Sequence, residues 1–285
     1  MLQRSTIQLL RFPFSFFLMP VYWFALSVAT TIDVSKALLV FLILHLLVYP
    51  SSNGYNSYMD RDTESIGGVE HPLEPQRELF MVSVVMDILA IVLSLAVSVL
   101  FALFMIVYIC CSRLYSYRRV RLKKYPITGY LTVILNQGGL VFVAIVMSVG
   151  GIVSDVWLPA IASCLLIGGF YPITQVYQHR SDERDGVKTI SMLLGIRGTF
   201  IFCALMYIGA FALLFFYYRE RNQLNLFLVL QLFFLPVLAC FFSWVWKVWR
   251  DERLADFRHT MRMNWLASGC TNLAFITLTI LQHFG

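Results

Sequence analysis

Long apolar segments alternate with short polar ones along almost the whole chain. A helix of roughly 20 apolar residues spans the hydrocarbon core of a bilayer. No long polar linker divides the chain, so we expect residues 1–285 to form one all-α domain, a bundle of about nine transmembrane helices around a central cavity. The predicted helices are 12–30, 36–56, 79–95, 97–113, 127–148, 154–177, 199–217, 224–246 and 263–283.

The third and fourth predicted helices come from a single apolar run, residues 80–112. As one helix this run would be about 50 Å long, whereas the hydrocarbon core of a bilayer is about 30 Å thick. A tight turn near Ser94–Ser98 removes the excess length. We therefore predict a helical hairpin in this part of the chain.

The distribution of basic residues supports this division. With nine helices, all but three of the 22 Lys and Arg residues fall on one side of the membrane; the exceptions are Lys36, Arg219 and Arg221. Cytoplasmic loops of membrane proteins carry an excess of Lys and Arg. The pattern predicts a multi-pass integral membrane protein whose long, charged loops, and any active site that they form, face the cytoplasm.

The composition excludes several classes of protein. Hydrophobic residues make up 59% of the chain and charged residues only 13%, which excludes both a disordered chain and a water-soluble globule. The net charge of +6 arises from basic residues between apolar runs, which we interpret as topology signals and phosphate ligands. We therefore expect a lipid bilayer as the surroundings and no nucleic acid as a partner.

The first segment with candidate chemistry follows the second predicted helix. If that helix continues into the segment, Asn56, Asp60 and Glu64 recur one turn apart and share one face, with Asn53 beside them. Oxygen ligands with this spacing suit Mg²⁺, which binds one or two carboxylates together with phosphate oxygens of a substrate. The alternative is a solvated helix end with ordinary surface charges.

A second polar segment follows the sixth predicted helix. Gln178 and Asp182 are again one turn apart, Gly186 can end the helix, and Lys188 follows within reach of a phosphate. Alone, this segment is more typical of a solvated helix end than of a binding site. Together, the two segments place oxygen-rich helix ends on the same side of the membrane, which favours a shared site for a cation and a diphosphate.

With these segments the chain resembles the UbiA-type superfamily of intramembrane prenyltransferases, which are nine-helix bundles. The superfamily's first motif, Asn-Asp-x-x-Asp-x-x-x-Asp, follows helix 2, and Asn56, Asp60 and Glu64 fit it. Two positions depart from the motif. Ser57 stands where the superfamily usually has Asp, and Glu64 replaces another Asp.

The superfamily's second motif, Asp-x-x-x-Asp followed by Gly-x-x-Thr, comes after helix 6. Asp182, Gly186 and Thr189 fit this motif, whereas Gln178 replaces its first Asp. A third stretch, residues 114–116 followed by basic residues 121–124, is similar to the Tyr-Ser and basic pattern between helices 4 and 5. In the superfamily, the usual site holds two Mg²⁺ ions between the two motifs. Because this chain lacks two of the usual carboxylates, the resemblance is compatible with either one or two ions.

The resemblance and the chemistry of diphosphates imply a role for each residue. We expect Asp60 and Asp182 to be essential for catalysis. The expected metal ligands are Asn56, Asp60, Glu64, Gln178 and Asp182, and the expected substrate-binding residues are Arg61, Lys123, Lys188, Tyr115 and Tyr171. For the basic residues Arg61, Lys123 and Lys188, the alternative is that they only determine which side of the membrane their loops occupy. The aromatic side chains expected beside the site are Tyr58, Tyr171 and Tyr177.

One further acidic residue, Asp87, lies about eight residues into the third helix. An ionisable group at this depth faces the bundle interior or a cavity. It is either a functional residue or a structural one hydrogen-bonded to a neighbouring helix, with Asn136 or Gln137 as the expected partner.

These features imply a Mg²⁺-dependent transferase that moves a prenyl group from a prenyl diphosphate to an aromatic or otherwise electron-rich, lipophilic acceptor. A terpene cyclase of the same superfamily is the second interpretation, because the same ionisation can be followed by ring closure. A non-catalytic lipid-binding relative with decayed motifs is the third.

Overall fold

The structure is a computed structural model that describes residues 2–150 and 156–284. Within these ranges, nine helices are long and apolar enough to cross a membrane, in agreement with the sequence pattern. The predicted start of the sixth helix at residue 154 lies outside the described residues. We number the helices α1 to α9 in chain order: Arg4–Val28, Val34–Asp60, Arg77–Val97, Val99–Ser116, Pro126–Val149, Trp157–Gln175, Ile190–Glu220, Leu224–Arg250 and Phe257–His283.

The helices α3 and α4 form the hairpin that the length argument predicts. The first ends at Val97, Ser98 is extended, and the second begins at Val99. The Ser98 hydroxyl accepts a hydrogen bond from the backbone N–H of Phe101 at 3.0 Å. This bond satisfies one of the N–H groups that have no partner in the first turn of a helix, and so fixes the start of α4.

The helices surround a central cavity. α1 packs against α5 and α9, α2 packs against α3, α4 and α5, and α6 packs against α5 and α7. On the outer surface, apolar side chains such as Leu205, Leu228 and Leu232 are exposed. A bilayer accommodates such side chains, because its hydrocarbon core is itself apolar.

Three helices change their geometry where they border the cavity. α1 is interrupted at Arg11, and α5 contains a π-helical stretch, Ile134–Leu140. α6 ends in a tighter 3₁₀ turn, Pro172–Gln175, because Pro172 has no backbone N–H to continue the α-helical pattern. Such irregular stretches are common at functional sites, since they redirect side chains that a regular helix would place elsewhere.

The end of α2 differs from the expectation. The helix stops at Asp60, and Arg61 has a φ of 56°, in the left-handed region that terminates an α-helix. The helix therefore extends beyond its predicted end at residue 56, but it does not reach Glu64, so the condition for Glu64 to share a face with Asn56 and Asp60 is not met. The following loop folds over α1, where Gly67 lies so close to Phe14 that a Cβ atom would be 2.6 Å from the ring.

The start of α7 also differs, because this helix begins at Ile190 and not at residue 199. The Thr189 hydroxyl accepts a hydrogen bond from the backbone N–H of Met192 at 3.3 Å and caps the new first turn. Gly195, with a φ of 70°, bends the chain before the long apolar segment begins. The apolar pattern therefore marks only the part of α7 beyond this bend.

Asp87 is a structural residue with a different partner from the one expected. Its carboxylate accepts hydrogen bonds from the Arg113 guanidinium and from the Ser51 hydroxyl, which joins α3 to α4 and α2. The expected partner Asn136 instead donates to the backbone carbonyl of Tyr108 at 3.2 Å. The prediction of an interhelical hydrogen bond is confirmed, but its partner was wrong because Asp87 faces α2 and α4 and not α5.

Candidate active site

The ends of α2 and α6 meet at one end of the central cavity. The space between the protein atoms there, including the open mouth, is about 1350 Å³. Charged and amide side chains line the mouth, whereas Leu18, Val133 and Ile167 line the interior. Asn136 and Gln137 line the cavity as well, so its polar entrance leads to an interior with both apolar and amide side chains.

α2 places Asn56 and Asp60 one turn apart on the cavity wall. The Asn56 amide donates a hydrogen bond to the Ser116 hydroxyl at 2.9 Å, which fixes its orientation and leaves its carbonyl oxygen as an acceptor. Ser57 is buried and does not line the cavity. A carboxylate at position 57 would therefore point into the bundle, and its absence does not weaken the polar wall.

Asp60 is buried and already paired with basic residues of the loop between α4 and α5. The Lys123 ammonium donates a hydrogen bond to one of its oxygens, and the Arg121 guanidinium lies 3.5 Å from the other. Arg121 also forms an ion pair with Asp185. The expectation that Lys123 lies in the cavity agrees with its position there.

Asp62 lines the cavity mouth, although the sequence pattern gave no reason to select it. It follows the left-handed turn at Arg61 that ends α2. Burial, reinforced by the negative charge of Asp60, raises the pKa of Asp62 from 3.8 to about 6. Asp62 forms no salt bridge with any residue that the structure describes.

Three residues expected in the site lie outside the cavity. Glu64 is exposed and forms a salt bridge with Arg184 at 2.6 Å. Arg61 is exposed, with its guanidinium 5.9 Å from the centre of the Tyr58 ring. Lys188 is exposed as well and does not line the cavity. These positions do not bring the three side chains into contact with a ligand in the cavity.

The opposite wall comes from the end of α6 and the short helix His179–Arg184 that follows it. Gln178 and Asp182 both line the cavity, as expected. Burial raises the pKa of Asp182 from 3.8 to about 7, even though the nearby Lys123 charge lowers it. Asp182 forms no salt bridge within the described part of the chain. Gly186 has a φ of 66°, which suits the turn after this helix.

Aromatic side chains form a further part of the cavity wall. The Tyr115 and Tyr171 hydroxyls share a hydrogen bond, and the Gln175 amide donates to the Tyr171 hydroxyl at 2.8 Å. Tyr177 also lines the cavity, as expected. Tyr58 does not, because it packs against Phe80 with the ring centres 5.3 Å apart.

The donor atoms at the mouth fit a hard cation such as Mg²⁺. In the described parts of the chain, no three His, Cys, Asp or Glu side chains converge on one point. Asp62 and Asp182 nevertheless present carboxylates without salt-bridge partners beside the amides of Asn56 and Gln178. This donor set matches the preference of Mg²⁺ for few carboxylates, with its remaining positions taken by water and phosphate oxygens.

The chain belongs to the UbiA prenyltransferase family, whose family model matches residues 17–267. No curated protein matches the sequence significantly. A UbiA homologue from Archaeoglobus fulgidus bound to DMAPP and Mg²⁺ has a TM-score of 0.74 and 16% identity, with 98% of each chain covered.

Two further solved structures share this fold. An apo UbiA homologue from Aeropyrum pernix K1 has a TM-score of 0.70 and 17% identity, covering 94% of this chain and 98% of that one. A structure described for digeranylgeranylglyceryl phosphate synthase has a TM-score of 0.64 and 20% identity, with 98% of each chain covered.

Proposed function

We propose that this protein is an active intramembrane prenyltransferase that uses a prenyl diphosphate and Mg²⁺. One observation carries the proposal. Asp60, Asp62 and Asp182, from two separate segments, line the mouth of one cavity together with Lys123, and apolar side chains such as Leu18 and Ile167 line the same cavity further in. A prenyl diphosphate also has a polar and an apolar part, because its charged headgroup is joined to a hydrocarbon chain.

The relatives support the choice of ligands. Homologues from Archaeoglobus fulgidus have been solved with DMAPP and Mg²⁺ and with GPP and Mg²⁺. We propose that the cavity mouth faces the cytoplasm, because most of the basic residues lie on that side of the nine-helix arrangement.

In this proposal, some cavity residues bind the metal ion and others contact the substrate. A bound Mg²⁺ ion would supply positive charge that stabilises the departing diphosphate. Asp60, Asp62 and Asp182 would hold it, helped by the amide oxygens of Asn56 and Gln178. Lys123 and the tyrosine pair, Tyr115 and Tyr171, contact the substrate in this proposal, with Lys123 moving its hydrogen bond from Asp60 to a phosphate oxygen.

In the proposed transfer of the prenyl group, one bond breaks for each bond that forms. The allylic C–O bond of the donor breaks, and its electron pair leaves with the diphosphate. An electron pair of the acceptor forms the new bond to the same carbon, and the acceptor releases a proton to water. Apolar and aromatic walls, including Ile167, Phe170 and Tyr171, delay capture of the carbon by water.

The test is product analysis of the purified protein. The protein is incubated with Mg²⁺ and radiolabelled geranyl or geranylgeranyl diphosphate, with and without lipid extracts and simple phenols as acceptors. Label that moves into an extractable product only when acceptor is present supports the proposal. Terpene hydrocarbons or alcohols without acceptor would indicate a cyclase, and the absence of any turnover would indicate a non-catalytic relative.

Matched variants connect the turnover to the cavity. Asp60→Asn removes a carboxylate charge at the mouth, whereas Arg4→Gln removes an exposed charge that does not line the cavity. We expect Asp60→Asn to abolish most of the turnover and Arg4→Gln to leave it unchanged. Equal turnover in the two variants would show that the chemistry takes place elsewhere.

A further inference from the structure

Arg11 has a backbone conformation that arginine rarely adopts. It lies between the α-helical segment Arg4–Leu9 and the 3₁₀ segment Phe12–Phe17, both within α1, and its φ is 48°. Residues other than glycine are uncommon in this left-handed region, and such residues cluster at ligand-binding sites. The turn directs the Arg11 side chain into the central cavity, whose wall it forms in part.

The Arg11 guanidinium is buried, with only 8% of the residue exposed. Its terminal nitrogens donate to two backbone carbonyls, those of Gly67 and Asn53, each at 3.3 Å. Its Nε–H is buried and has no hydrogen-bond partner within the described ranges. The Phe14 ring lies 5.4 Å away and contributes no negative charge.

Arg11 therefore has no carboxylate in direct contact, although Asp62 and Asp60 interact with its charge from a longer distance. Two cations line the described cavity, and the other one, Lys123, is paired with Asp60. No described carboxylate forms a salt bridge with Arg11. A buried charge without a counterion is costly unless a ligand supplies one. An arginine that served only as a topology signal would extend its guanidinium into water instead.

We propose that Arg11 binds an oxyanion of a substrate in the cavity. The oxyanion belongs either to the diphosphate of the donor or to an acidic group on the acceptor, since a guanidinium recognises phosphate and carboxylate oxygens in the same way. This inference rests on the proposed function, because it takes the cavity to be the substrate site. It adds a binding residue from α1, outside both acidic segments.

The experiment measures binding to the purified full-length protein by calorimetry. The probes are inorganic pyrophosphate with Mg²⁺ for the donor headgroup, and hydroxybenzoate and glycerol phosphate for acidic acceptors. The variants are Arg11→Gln, which removes the charge, and Arg11→Lys, which keeps the charge but loses the planar donor arrangement. Arg4→Gln is the matched control, because Arg4 lies on the same helix and is exposed.

We expect Arg11→Gln to weaken binding of one probe by about tenfold or more, the range for a hydrogen bond to a charged group. Arg11→Lys should recover part of the affinity, and Arg4→Gln should match the wild type. Weaker binding of Mg²⁺–pyrophosphate assigns Arg11 to the donor. Weaker binding of hydroxybenzoate or glycerol phosphate alone assigns it to the acceptor.

Two results overturn the inference, and they differ in what they say about the proposed function. If the wild type and Arg11→Gln bind every probe equally, Arg11 is not a binding residue, while the proposed function stands. If the wild type binds none of the probes, both proposals fail. Should Arg11→Gln not fold, Arg11→Lys decides, because wild-type affinity of that variant for all probes excludes a role for the guanidinium.

Discussion

Replacing Asp62 by Asn is expected to impair the enzyme far more than replacing Glu64 by Gln, which is the reverse of what the sequence motif implies. Asp62 lines the cavity mouth, is partly buried and has no salt-bridge partner in the described ranges. Glu64 lies outside the cavity and pairs with Arg184, with side chains that are 43% and 66% exposed. The two variants each remove one negative charge with little change in shape.

The expected magnitudes follow from these surroundings. A carboxylate that helps to hold a catalytic cation contributes several kcal/mol of charge stabilisation. A loss of about 2.7 kcal/mol corresponds to about a 100-fold lower rate, which we take as the minimum for Asp62→Asn. An exposed ion pair contributes only about 0–1 kcal/mol to stability, so Glu64→Gln should change the turnover by less than about threefold.

The assay is release of labelled product from a prenyl diphosphate at saturating and limiting Mg²⁺. Asp62→Asn should also raise the Mg²⁺ concentration needed for half-maximal activity, whereas Glu64→Gln should leave it unchanged. Near-normal activity in Asp62→Asn together with a large loss in Glu64→Gln would refute the reasoning. That result would mean that α2 continues as a helix through residue 64 when substrate is bound.

Three other predictions test separate parts of the account. Mg²⁺ binding should weaken as the pH falls from 8 to 6, because Asp182, with a pKa of about 7, takes up a proton that competes with the metal; calorimetry at each pH measures it, and a constant affinity would contradict it. In a cysteine-depleted background, Lys36→Cys and Arg119→Cys should react with impermeant thiol reagents from opposite sides of the membrane, and labelling from one side would refute the topology. Asp87→Asn should lower the free energy of unfolding by about 3 kcal/mol, because the Arg113 guanidinium then stays buried without its counterion; an unchanged thermal midpoint would show that this pair adds no stability.

The helix number and the hairpin could be predicted because the bilayer imposes a fixed length. Any apolar run much longer than about 20 residues has to turn back, and the turn at Ser98 lies where this argument places it. Asp60 and Asp182 could be selected for a different reason, because each lies one turn from an amide side chain near the end of an apolar helix and fits a motif of the superfamily that the chain resembles. Their approach in space follows from the bundle, since both helix ends lie at the same mouth.

Asp62 and Arg11 could not be found from spacing. Each position depends on a left-handed backbone turn at a residue that is not glycine, at Arg61 and at Arg11 itself. No local sequence preference favours such a turn at arginine, so only the packing of the surrounding helices and loops determines it. Arg11 also has the same sequence pattern as a topology signal, and only its burial distinguishes the two roles.

The central claim is that the cavity binds a prenyl diphosphate through a divalent cation. The most direct measurement is calorimetric binding of geranyl S-thiolodiphosphate, a donor analogue that resists ionisation, to the purified protein. The account predicts saturable binding that requires Mg²⁺, is abolished by a chelator and is at least tenfold weaker in Asp182→Asn. Binding of equal strength without Mg²⁺, or of equal strength in Asp182→Asn, would contradict it.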